Sequence, residues 1–99
     1  MSNLISEVEI GQLKYKNRLY VFNYGIIVCV YKDKCYICED KLIGIRGFAT
    51  SLKEAWKIFN IDFDACWSYI AMEEDCNLLL DDKELKRKMI ELVNHIEEV

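Results

Sequence analysis

The sequence contains no proline and only four glycines among its 99 residues. It also lacks internal repeats and low-complexity stretches, so nothing in it has the composition of a linker between domains. A chain of this length is sufficient for one folding unit and leaves little for a second. We therefore expect a single domain that covers residues 1–99.

Long hydrophobic runs are missing as well. No apolar run approaches the roughly 18 residues that a membrane-spanning helix needs, and the first residues lack the basic and apolar regions of a secretory signal. Five cysteines without such a signal favour reduced thiols in a reducing compartment. The sequence thus predicts a cytoplasmic protein with no membrane partner.

Positive charge is scarce in the second half of the chain. Residues 1–50 carry seven Lys/Arg and five Asp/Glu, whereas residues 51–99 carry six and twelve. A surface that binds phosphates needs clustered basic residues. The one basic run in the sequence, Lys86 to Lys88, is flanked by acidic residues. Direct binding of nucleic acid by this chain is therefore not expected.

Alternating apolar residues predict strands in the first half. A first strand with a bulge at Gly11 is expected around residues 8–15, and a second over residues 19–22 that ends in a turn at residues 23–25. Residues 26–31 and 35–39 then form a hairpin. A two-residue loop would place Cys29 opposite Cys38, and a three-residue loop would shift this pairing.

Helices are predicted in the second half. Ser51 and Glu54 have the spacing of a capping box, in which the serine hydroxyl accepts from the third amide of the helix. Asn60 or Asp62 is expected to cap a second helix. Asp81 or Asp82 is expected to open a third, whose apolar stripe continues to Ile96. The fold class is α+β: an antiparallel β-meander of four to five strands followed by two to three helices packed on one face.

Residues for catalysis or metal binding are few. Cys35 and Cys38 have the C-x-x-C spacing, but no second pair completes a zinc site, and extended structure would separate their thiols. His95 is the lone histidine and is expected in the final turn of the last helix. We therefore predict no enzyme activity, no cofactor and no metal. A small-ligand or zinc site around Cys29, Cys35 and Cys38 is the alternative.

Acidic residues are the most abundant candidate for a binding surface. Those that occur in pairs or triplets are Asp62, Asp64, Glu73, Glu74, Asp75, Asp81 and Asp82. Each group coincides with a predicted helix end, where capping alone would account for it. Together they could instead form one negative surface for a basic protein partner. Exposed tyrosines at Tyr15, Tyr20 and Tyr24 are another option for a recognition surface.

One stretch of 14 residues carries a family resemblance. The matching residues are Leu42, Gly44, Ser51 (in place of a threonine), Leu52, Glu54 and Ala55, whereas Ile43, Ile45 and Ala49 depart from the pattern. This stretch resembles the strand-to-helix signature of HicB-like antitoxins. The resemblance implies a non-catalytic, often oligomeric protein that neutralises a small ribonuclease toxin. Residues 78–85 also resemble the start of a ribbon-helix-helix DNA-binding unit, but the chain ends before its second helix.

The combined prediction is a small acidic, non-catalytic protein that inhibits or sequesters a protein partner. An antitoxin, an immunity protein and a phage-type inhibitor of a host defence enzyme all fit this description, and a basic nucleic-acid-binding enzyme is the kind of partner it would suit. The apolar content of 53% is generous for so small a body and is compatible with a homodimer.

Overall fold

Two long antiparallel strands form the frame of the fold. A computed structural model describes residues 3–99. Strand β1 (Asn3–Tyr15) pairs along its length with β2 (Arg18–Lys32). A two-residue turn joins them, and Lys16 takes a positive φ of 53° there. Every other element of the chain is arranged on this hairpin.

Three shorter strands complete one antiparallel sheet. Strand β3 (Tyr36–Asp40) pairs with residues 28–32 of β2, and β4 (Arg46–Ala49) pairs with β3. The last strand, β5 (Val93–Glu98), pairs with residues 18–22 of β2. Because β1 occupies one edge of β2, β3 and β5 share the other. The predicted α+β class, with an antiparallel meander followed by helices, is confirmed.

The expected turn at residues 23–25 is wrong. These residues belong to β2, which continues to Lys32. The predicted irregularity at Gly11 is confirmed, since the register shifts between Ile10 and Gln12 and sets Gly11 against residues 22–25 of β2. β2 has more residues than β1 in this stretch. It accommodates them as a bulge because β1 continues opposite it without reversing. Gly25 needs no positive φ, which among the described glycines occurs at Gly44.

The β2–β3 hairpin has a three-residue loop. Lys32 pairs with Tyr36 and Cys29 with Glu39, so the two-residue alternative is wrong. Successive strand residues point to opposite faces. Cys38 is therefore buried against the helices, whereas Cys29 lies on the other face of the sheet, half-buried.

The first helix is longer than expected. Helix α1 (Leu52–Cys66) begins as predicted at Ser51, whose hydroxyl oxygen accepts from the amide of Glu54 at 3.2 Å. It continues into a π-helical turn, Trp67–Ala71, so the predicted second helix start at Asn60 or Asp62 is wrong.

A four-residue repeat explains this continuity. The buried residues of the helical stretch are Ala55, Phe59, Phe63, Trp67 and Ala71. A repeat of four exceeds the roughly 3.6 residues of an α-helical turn, so an α-helix would gradually rotate this row away from the sheet. The wider π turn at the end, with its i→i+5 geometry, reduces this rotation and keeps Trp67 and Ala71 buried.

The last helix is shorter than expected. Helix α2 (Leu80–Leu92) carries Asp81 and Asp82 in its first turn, as predicted, although neither side chain caps it. The predicted extension of its apolar stripe to Ile96 is wrong, because β5 begins at Val93. Residues 18–22 of β2 offer an unpaired edge there, and β-branched Val93 and Ile96 suit a strand. His95 accordingly lies in β5 and not in a helix.

The core lies between the helices and one face of the sheet. Helix α1 contacts β1, β3 and β4, and α2 contacts β2 and β5. The largest fully buried side chains here include Tyr20, Phe59, Phe63, Met89 and Leu92. The opposite face of the sheet, called the outer face below, is covered by neither helix. Within residues 3–99 no helix has the length and apolar character required to cross a membrane.

Asp40 is a buried carboxylate that the sequence did not single out. It accepts from the amides of Leu42 (2.9 Å), Ile43 (3.2 Å) and Ile45 (3.4 Å). Such bonds to an ionised acceptor are among the stronger ones in proteins. They hold the loop between β3 and β4, where Gly44 adopts a φ of 80°.

Candidate docking surface

Two of the seven candidate acids connect helix to sheet. Asp64 of α1 accepts from the hydroxyl of Tyr20 at 2.5 Å and from the guanidinium of Arg18 at 3.3 Å. Asp62 accepts from the backbone amide of Arg46 at 3.1 Å. Both carboxylates therefore have structural partners within the fold. Asp64 in particular is not free to pair with another protein.

Burial of Tyr20, assisted by its hydrogen bond to Asp64, raises its pKa to about 12. The unfolded chain loses this proton near pH 10. Between these values the folded state holds a proton that the unfolded state has released, so stability falls as pH rises from 10 to 12 and the full contribution is present below pH 10.

We expect Tyr20→Phe to flatten this alkaline loss of stability. At pH 8 the variant should be less stable by about 1–3 kcal/mol, because Asp64 loses a hydrogen bond. Urea unfolding at pH 8, 10 and 11 measures both effects. Tyr24→Phe is the control, since Tyr24 is exposed. Burial also raises the pKa of Cys38 and Cys66 to about 11, which affects all three proteins alike. Equal slopes in wild type and Tyr20→Phe would contradict the prediction.

The remaining five acids lie together in residues 69–82, called the docking segment below. This segment contains the end of the π-helical turn, a short 3₁₀ turn (Asp75–Asn77) and the start of α2, and it has no Lys or Arg. Its acids are Glu73, Glu74, Asp75, Asp81 and Asp82. The structure thus brings together five of the seven residues that the sequence proposed.

Lys86 of α2 holds the middle of the docking segment. Its ammonium group donates to the Asp75 carboxylate at 2.8 Å and to the carbonyl of Glu73 at 2.6 Å. The Glu73 carboxylate accepts from the Asn77 side chain at 2.9 Å. These bonds lower the pKa of Glu73, through Asn77 first, and of Asp75, through Lys86. Hydrogen bonds therefore order the middle of the segment and favour the ionised forms of Glu73 and Asp75.

Three acids of the docking segment have no basic partner among residues 3–99. Among the described residues, no ion pair involves Glu74, Asp81 or Asp82. Asp81 and Asp82 stand in the first turn of α2, where the helix dipole favours negative charge. After burial, Asp62 and Asp82 are the charges that raise the pKa of Cys66, which places both near this thiol. Asp82 of α2 and Asp62 of α1 therefore lie within electrostatic reach of the same thiol.

The same segment carries the most exposed apolar side chains of residues 3–99. Leu80 is 81% exposed, Leu79 78% and Tyr69 77%, and Met72 is exposed beside them in sequence. A folded chain can leave single apolar residues in water, but several in one short segment indicate a contact surface. Sequence reasoning missed these exposed apolar side chains. The run of three leucines directly before Asp81 was the sequence signal that could have indicated them.

The other sequence candidates are dispersed. Tyr20 is buried, Tyr15 half-buried and Tyr24 exposed, so the three tyrosines share no exposed patch. The ring nitrogens of His95 contact Asn94 at 2.7 Å and Glu97 at 3.0 Å, both on the same strand. Within residues 3–99, no group of three or more His, Cys, Asp or Glu residues stands close enough to hold a metal ion. The zinc alternative therefore gains no support from the geometry.

Comparison with known proteins yields no relative: no protein-family model, no curated protein and no solved structure matches the chain. The resemblance of residues 42–55 to HicB-like antitoxins stays a prediction.

Proposed function

We propose that this chain is a small acidic, non-catalytic binding protein that inhibits or sequesters a protein partner through its docking segment. The observation that carries the proposal is the combination, in residues 69–82, of five carboxylates without a basic residue and four exposed apolar side chains. Carboxylates select a basic surface and steer its approach, while buried apolar side chains supply most of the affinity.

The order of the segment strengthens the proposal. Lys86 holds the carbonyl of Glu73 and the carboxylate of Asp75, and Asn77 holds the carboxylate of Glu73, so the partner would meet a surface that is already in its bound shape. Pre-ordering lowers the entropy lost on association and so increases affinity. The π-helical turn at Trp67–Ala71 directs Trp67 inward while Tyr69 remains exposed.

The partner that best fits this surface is a basic protein with an apolar cleft beside its positive charges. Enzymes that act on nucleic acids have such surfaces, because they neutralise phosphates with Lys and Arg. An inhibitor of this design would occupy the region that the nucleic acid otherwise uses. Antitoxins, immunity proteins and phage inhibitors of host defence enzymes work within this class, and the resemblance at residues 42–55 favours the antitoxin.

The test is affinity purification of the tagged chain from cells that produce it, followed by binding measurements with the purified partner. Neutralising Glu74, Asp81 and Asp82 together (Glu74→Gln, Asp81→Asn, Asp82→Asn) should weaken binding about tenfold at low salt and less at high salt. The matched control removes three charges elsewhere through Glu54→Gln, Glu97→Gln and Glu98→Gln. Equal losses in both triple variants would show that only net charge matters and would refute a docking segment.

A further inference from the structure

The outer face of the sheet carries an apolar row that crosses four strands. The register aligns Leu4 of β1 with Tyr31 of β2, Tyr31 with Ile37 of β3, and Ile37 with Phe48 of β4. Phe48 is 61% exposed and Leu4 50%. An antiparallel sheet with one face in water normally presents polar residues there. A continuous apolar row is thus an unexplained feature of this surface.

The neighbouring row on the outer face carries both signs of charge. The register aligns four residues of this row across the same four strands: Glu7, Cys29, Glu39 and Arg46. The guanidinium Nε of Arg46 lies 3.7 Å from the carboxylate Oε2 of Glu39. Lys41, from the loop after β3, lies close to Tyr31, and the Tyr31 hydroxyl raises the pKa of this lysine, so its positive charge belongs to the same face. A surface with both signs can complement a copy of itself, whereas the wholly acidic docking segment cannot.

A recess that could receive an apolar side chain opens at the rim of the outer face. This cavity of about 290 Å³ lies between β2 and the loop after β3, and its lining combines Ile27, Cys29 and Leu42 with the buried Ile26 and Asp40. Ile27 and Cys29 are outer-face positions of β2, because they alternate with the buried Ile26 and Val28. Phe48 projects from the same face at β4. The outer face therefore presents both the projecting ring of Phe48 and a cavity that could receive such a ring.

We infer that two copies of this chain form a symmetric dimer through their outer faces, with Phe48 of each copy seated in the cavity of the other. For any two points on one face, a two-fold axis in the plane of the interface can place each point opposite the other point on the second copy. Both insertions therefore form together. The two-signed row allows Glu39 and Arg46 of facing copies to oppose each other. Pairing through the free edge of β1 is disfavoured, because its outer-face residues Glu7 and Glu9 would approach like charges.

The size of the face is sufficient for such a dimer. A stable interface buries about 800 Å² on each partner. The molecule has 6307 Å² of accessible surface and measures 40 × 32 × 21 Å, so one broad side can supply that area. The dimer would leave both docking segments free, because they belong to the helical side. The inference therefore does not depend on the proposed function.

The experiment measures the molar mass of the untagged full chain by sedimentation equilibrium. Wild type should sediment with twice the monomer mass of 11.7 kDa. Phe48→Glu and Ile27→Lys should each weaken dimerisation about 30-fold or more, because each places a charge in the apolar contact. Circular dichroism should stay unchanged, since both side chains are exposed. Ile61→Glu, on the exposed side of α1, is the matched control and should remain dimeric.

Mixing the two monomeric variants tests the geometry itself. In a mixed dimer, one insertion places the introduced glutamate of one copy against the introduced lysine of the other. The second insertion is the wild-type contact of Phe48 with the cavity that Ile27 lines. A dimer that forms only in the mixture would establish the reciprocal insertion. The inference would be overturned by a wild type that stays monomeric up to about 1 mM, by dimers insensitive to both substitutions, or by a mixture that stays monomeric. A small molecule bound in the cavity of purified protein by native mass spectrometry would also overturn it.

Discussion

Truncating Leu79 and Leu80 together to alanine is expected to weaken partner binding about 100-fold while leaving the fold intact. The two side chains are the most exposed leucines of residues 3–99, so the folded monomer loses little contact when they are shortened. On binding they would be the apolar centre of the interface, where each such residue contributes more than about 1 kcal/mol. Titration calorimetry with the purified partner measures the change.

A control with the same chemistry is available on α1. Ile58 and Ile61 are each 38% exposed and lie outside the docking segment, so Ile58→Ala with Ile61→Ala shortens two apolar side chains of the same size, about half as exposed as the leucines, in another place. This double variant should bind the partner like wild type. If both double variants lost affinity equally, the effect would come from general apolar surface, and the leucines would have no specific role.

Replacing Gly47 by valine is expected to cost about 3 kcal/mol or more of unfolding free energy. A Cβ at Gly47 would overlap the amide nitrogen of Phe59 and the carbonyl oxygen of Ala55. These are backbone atoms of α1, so the helix would have to move away from β4. The buried residues Ala55 and Phe59 would then lose their contacts with the sheet.

Urea unfolding followed by circular dichroism measures this loss. Gly11→Ala is the control, because a Cβ at Gly11 meets nothing within 4 Å, and the variant should unfold close to wild type. A Gly47→Val protein as stable as Gly11→Ala would show that α1 is not seated on β4 as described here.

Local signals predicted the parts of the fold that local chemistry decides. Ser51 and Glu54 define the start of α1 because a capping hydroxyl needs only its own helix. Alternation predicted β1 and the hairpin, and Gly11 predicted where the register shifts, although the surplus residues lie in β2. The length of the β2–β3 loop could not be chosen, because two and three residues both suit the sequence around Asp33.

Long-range pairing decided what the sequence could not predict. Val93 and Ile96 continue the apolar stripe of α2 in sequence, and only the unpaired edge of β2, more than seventy residues away, makes them a strand. Asp64 was grouped with the docking acids because its bond to Tyr20, 44 residues earlier, is invisible in a linear pattern. The acids that remain candidates for a docking surface are those adjacent along the chain in residues 73–82.

The exposed leucines illustrate a different limit. An apolar run before a pair of aspartates predicts burial, because most leucines in such a position enter the core. Leu78 is half-buried, whereas Leu79 and Leu80 face solvent at the start of α2. A sequence pattern shows that residues are apolar, but only packing shows which of them the fold leaves exposed.

Site-specific photo-crosslinking tests most directly whether residues 69–82 contact a partner. A photoreactive phenylalanine analogue is placed at Leu80, or at Ile58 as the control, and the chain is irradiated in the cells that produce it. We predict one cross-linked product from Leu80, containing one basic protein, and no such product from Ile58. The same product from both positions, or a product from Ile58 alone, would contradict the account.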